Sequence, residues 1–126
     1  MDRTETIKRI RKALKDRSGK PWSVTGGRGT AYGWITIDAP PARCTWRWED
    51  PVNGIKSDDD WREVNDCAPG AGHMGPDDRK KLAGLLSLDK VHFQGVSIPA
   101  ASDYWQEYID RAEGRKPTRI GEQYWD

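Results

Sequence analysis

Cysteine, histidine and phenylalanine are scarce in this chain: two, two and one among 126 residues. Two cysteines, Cys44 and Cys67, cannot build the disulfide lattice of a small secreted fold. The expected setting is therefore reducing and cytoplasmic, with both thiols free. With His73 and His92 they make four potential zinc ligands in number, but none stands in the short paired spacing of a zinc site. Asp58-Asp59-Asp60 lacks the alternating positions and closing glutamate of a calcium loop. The reading is accordingly of no metal and no cofactor. No apolar run approaches the length of a membrane span, so no membrane association is expected. The charged, helical N-terminus has no apolar core segment of the signal-peptide kind.

What is present is charge and tryptophan. Charged residues make up 33% of the chain and apolar ones only 35%, yet there are seven tryptophans and four tyrosines. A disordered chain is poor in aromatics, so the composition points to a small aromatic core beneath a polar surface. The length suggests a single domain, 1–126. The net charge of +1 hides a division. Residues 1–48 hold 11 Lys/Arg against 4 Asp/Glu, a net +7, and residues 49–126 hold 10 against 16, a net −6. Such a split implies either an anion-binding half or two solvated faces that attract each other within the fold.

The organising stretch is Lys20 to Pro41. Trp22 to Thr25 alternates as a half-buried strand does. Glycines at 26, 27 and 29 favour a turn with positive φ. Tyr32 to Asp38 resumes a strand, and Pro40-Pro41 ends it. Before the hairpin, Asp2 to Arg17 reads as a helix, with Asp2 or Thr4 as cap, Glu5 in capping-box position and Gly19 closing it. Its stripe is Ile7, Ile10 and Leu14, and Lys8, Arg11, Lys12 and Lys15 cluster on an adjoining face.

Arg43 to Trp48 suggests a third strand. Residues 49–75 read as an irregular acidic segment around Trp61 to Val64, a short strand or helical turn. Residues 76–126 form a helix–strand–helix half. Gly75-Pro76-Asp77-Asp78 opens the helix, with proline at its first position and two aspartates at its positive end. Leu82, Leu85 and Leu86 bury it. Val91 to Ile98 is the next strand, and Pro99 to Ala112 the last helix. The fold class expected is α+β: an antiparallel sheet of three to five strands with about three helices on one face. Its core should hold Ile10, Leu14, Trp34, Ile37, Leu82, Leu85, Phe93, Tyr108 and Ile109.

The candidate site is the glycine loop and the basic helix face. Gly27-Arg28-Gly29 does not match the P-loop, which requires Gly-Lys-Ser/Thr opening a helix. It fails the dinucleotide fingerprint because a strand follows, not a helix. Gly26 to Gly29 shares the GxxG letters of a KH domain, but that loop joins two helices and here one side is a strand. What remains is a loop of exposed amides with one arginine, able to hold an anion. Lysines and arginines neutralise phosphates, and exposed aromatics stack on bases. The expected ligand set is Arg28, Gly27, Gly29, Thr30 and Tyr32 with Lys8, Arg11, Lys12 and Lys15. The ligand would be nucleic acid or another phosphate-rich molecule.

Two other readings compete. One is a protein-interaction or inhibitor module using the acidic segment Asp58 to Asp66 or the exposed tryptophans. The other is a small enzyme using His73 as a general base near neutral pH or Cys67 as a nucleophile. No GxSxG or HExxH signature accompanies them, so no catalytic residue is assigned.

The stretch Ile7 to Asp38, with IRKALKDRSGKPWSV leading into YGWITID, resembles the start of small domains in the large polyvalent proteins of phages and plasmids. Those also open with a helix running into an aromatic-Ser-Val strand and a second strand. Short bacterial open reading frames are similar. The resemblance implies a mobile-element or host-defence accessory role. It carries over no catalytic residue.

Overall fold

The structure, a computed structural model, describes residues 2–40, 45–49, 62–66 and 72–115. The order of elements is α1 (Arg3–Ser18), β1 (Ser23–Gly26), β2 (Ile35–Asp38), β3 (Thr45–Glu49), β4 (Arg62–Asp66), α2 (Pro76–Leu86), β5 (Val96–Ile98) and α3 (Ser102–Ala112). The class is α+β, as the sequence implies.

Helix α1 is set by its ends. The Asp2 carboxylate accepts from the Glu5 amide (2.8 Å), which satisfies one of the orphan donors of the first turn. Gly19 takes the left-handed conformation (φ 74°) and donates to Lys15 O. Ile10, Ala13 and Leu14 recur on one face and are buried. Ser18 Oγ donates to Leu14 O and accepts from Trp22 Nε1 (2.9 Å), so the indole N–H keeps a partner although Trp22 is 2% exposed.

Three strands form one antiparallel sheet in the order β1-β2-β5, with β2 central. Val24 lies opposite Ile37, and Ile37 opposite Val96; Ile35 lies opposite Ile98. Because side chains alternate across a strand, these five share one face, and all are buried. Burial of each contributes about 1.5–3 kcal/mol. The other face carries Ser23, Thr25, Thr36, Asp38 and Ser97, none of them buried. Helices α1 and α3 pack together, against β1 and β5 respectively, and α2 packs on both. Leu82, Leu86, Tyr108 and Ile109 complete the core.

A second sheet pairs β3 with β4. It is tied to the entry of α2 by a two-way bridge: Trp46 N donates to His73 O (2.8 Å) and His73 N to Trp46 O (2.6 Å). Gly72 and Gly75 permit this approach, since a Cβ at either would lie about 2 Å from Trp46 atoms.

The structure amends several expectations. Trp34 and Phe93 are only half-buried. Trp34 directly precedes β2, and by parity it falls on the side of Thr36 and Asp38, opposite Ile35 and Ile37. The strand expected over Val91–Ile98 is confined to Val96–Ile98, preceded by a tight turn in which Gly95 N donates to His92 O. The expected β2 start at Tyr32 moves to Ile35, because Tyr32 belongs to a turn. Of the two forms expected around Trp61 to Val64, it is the strand that occurs, as β4 over Arg62–Asp66. Glu107 and Arg111, although charged, are 1% and 5% exposed.

Candidate anion-binding surface

The loop from Gly27 to Trp34 is closed by its own backbone. Gly27 N donates to Trp34 O, Ala31 N to Arg28 O, Tyr32 N to Gly29 O and Trp34 N to Ala31 O. A short 3₁₀ turn over Gly29–Ala31 results. The glycines serve different ends. Gly29 adopts φ +58°, as the turn chemistry requires. Gly26 and Gly27 have no positive φ. Gly27 is glycine because a Cβ there would meet Ala31 O at 2.0 Å.

Arg28, Gly29, Thr30 and Tyr32 are exposed, Tyr32 to 63% of its surface, and Gly27 is half-buried. The loop is fixed to the start of α1 by Arg3, a residue that no motif or spacing marks. Arg3 Nη1 donates to Gly27 O (2.6 Å) and Tyr32 O (2.5 Å). Its guanidinium lies 3.9 Å over the Tyr32 ring centroid, a cation–π geometry. Residues 3 and 32 are 29 positions apart, so no local spacing could reveal this pair.

From that junction α1 runs antiparallel to β1. Arg3 meets Gly27 at one end, and Arg11 Nη2 donates to Val24 O further along (2.7 Å). Lys8, Arg11 and Lys15 fall at i, i+3, i+7 and form an exposed stripe about 10 Å long. Lys8, Lys15 and Arg28 make no side-chain hydrogen bond or ion pair among the described residues. Lys12 differs. It lines a cleft between α1 and α3 with Arg9, Ala13, Asp16, Arg17 and Glu113, and pairs with Asp16 at 2.7 Å. The hydrogen bond and charge of Asp16 raise the Lys12 pKa and offset its positive charge. Arg9 is likewise bound to Glu113 at 2.7 Å. The nine expected site residues therefore divide: five lie on the loop, Lys8, Arg11 and Lys15 form the exposed stripe of α1, and Lys12 lines the cleft toward α3, paired with Asp16.

The residues of the competing readings are differently placed. His73 is 7% exposed, stacked edge-on against Phe93 at 5.3 Å. Cys44, Cys67 and Asp58–Asp60 lie outside the described residues. Among the described residues no three potential metal ligands stand together, and no helix is long and apolar enough to cross a membrane.

No protein-family model, no curated protein and no solved structure matches this chain.

Proposed function

We propose that this chain is a small non-enzymatic protein that binds nucleic acid or another phosphate-rich ligand through the loop and the outer stripe of α1. The observation that carries the reading is that three exposed cations without side-chain partners among the described residues, Lys8, Lys15 and Arg28, and an exposed aromatic ring lie on two elements joined by Arg3. Unpaired exposed cations are the ones that release counterions on meeting a phosphate backbone. The +7 charge of residues 1–48 supplies the long-range attraction. The resemblance of Ile7 to Asp38 to domains of phage and plasmid polyvalent proteins suggests a mobile-element or host-defence accessory context.

The test is equilibrium binding of the parent protein to a labelled oligonucleotide across a salt series. The reading predicts affinity that falls linearly with the logarithm of salt, by about 0.7–0.9 in slope per phosphate contact. No binding at low salt would dismiss it.

A further inference from the structure

Resting on that reading, we infer that the ligand is single-stranded, with an unpaired base stacked on Tyr32 and its backbone phosphates on Arg28 and the Lys8–Lys15 stripe. The bases of a duplex are already stacked on each other and offer no free face. A single strand has free π-faces and gains affinity from an exposed aromatic ring.

Tyr32 is built as such a ring. It is the large apolar side chain most open to solvent among the described residues, at 63%. Its backbone is held on both sides, by the Tyr32 N to Gly29 O bond and by the Arg3 bond to Tyr32 O. The Arg3 guanidinium covers one ring face at 3.9 Å and is itself anchored to Gly27 O. One face of the ring is thus closed by a cation that the loop backbone fixes in place. A base can add to the opposite face and extend a guanidinium–ring–base stack. Arg28 and Thr30 stand exposed on the same turn, where a phosphate flanking that base would lie. The loop's closed hydrogen bonding means little ordering is left to be done on binding.

The experiment uses the full chain and four probes: fluorescein-labelled oligothymidylate, oligouridylate, a duplex of the same length, and inorganic polyphosphate. The inference expects tighter binding of both single strands than of the duplex. Tyr32→Ala should weaken single-strand binding about 5- to 150-fold, the range for loss of one base–aromatic stack. It should leave the salt slope and the polyphosphate affinity unchanged. Tyr32→Trp should retain single-strand binding, which separates stacking from a fold effect. Preference for uridylate or thymidylate alone assigns RNA or DNA, and either supports the inference. Parent-like oligothymidylate and oligouridylate binding by Tyr32→Ala, or equal affinity for duplex and single strand, overturns it while leaving the phosphate-binding reading intact. Absence of all binding by the parent overturns both.

Discussion

A Cβ at Gly27 would lie 2.0 Å from the carbonyl oxygen of Ala31, closer than real Cβ atoms come to any non-bonded atom. That close approach, and not a left-handed φ, is what requires glycine at 27. Gly29 is required for the other reason, its φ of +58°.

The two glycines therefore respond to different substitutions. Gly27→Ala should destabilise by about 1–3 kcal/mol, since the turn must open to admit even a methyl group. Gly29→Val should cost about 1–3 kcal/mol through backbone strain, and Gly29→Asn less, because asparagine tolerates the left-handed region. Urea denaturation checks both. A neutral Gly27→Ala would mean that the turn is not closed as described.

Glu107 and Arg111 form a buried pair at 2.9 Å, with side chains 1% and 5% exposed. Arg111 Nη1 also donates to Leu86 O and Ser87 O at the end of α2. Glu107→Ala leaves the guanidinium buried with carbonyl partners but no countercharge. A loss of about 3–5 kcal/mol is expected. A loss below about 1 kcal/mol would return Glu107 to the class of solvated surface charge.

The core placement of α2 is tested by Leu82 and Leu85, which are 0% and 9% exposed. Leu82→Ala and Leu85→Ala should each cost about 2–5 kcal/mol, with Leu82 at the upper end. Mutants as stable as the parent in urea would refute this packing.

Burial raises the Asp38 carboxyl pKa above its ordinary 3.8. The folded state then binds the proton more tightly than the unfolded chain. From that direction, stability falls as pH rises from about 3.8 through the raised folded value, and the full penalty holds above it. Asp38→Asn should therefore raise the neutral-pH unfolding midpoint and flatten the acid-side pH dependence. A parent whose stability climbs through that window because of Asp38, with Asp38→Asn less stable at neutral pH, would reverse the sign and reject the account.

Much of the fold is legible in local pattern. The Asp2 cap, the Gly19 stop and the Pro76 start each act within a few residues of themselves, so the helix ends can be read directly. The side of a strand follows from parity, which assigns Ile35 and Ile37 inward and Trp34 outward. Other features arise only from distant parts of the chain. Pairing of β2 with β5 joins residues about sixty positions apart. Burial of Glu107 depends on the end of α2 lying over α3. In the candidate site, the cations and Tyr32 are visible as residue types. The Arg3 stack and the turning of Lys12 toward Asp16 are not, because both depend on tertiary neighbours.

The central claim, that the loop and the α1 stripe meet a phosphate backbone, is tested most directly by salt titrations of oligonucleotide binding for the parent, Arg28→Ala, Lys8→Ala and Lys12→Ala. The Arg28 side chain is exposed and only the residue's backbone carbonyl takes part in closing the turn, so truncating the side chain should leave the fold intact. Arg28→Ala and Lys8→Ala should each weaken binding to all sequences alike and lower the salt slope by about one unit. Lys12→Ala should change it less, because Asp16 already offsets that charge. Parent and Arg28→Ala titrations that superimpose, in slope and in affinity, would contradict the account and leave the loop as a turn alone.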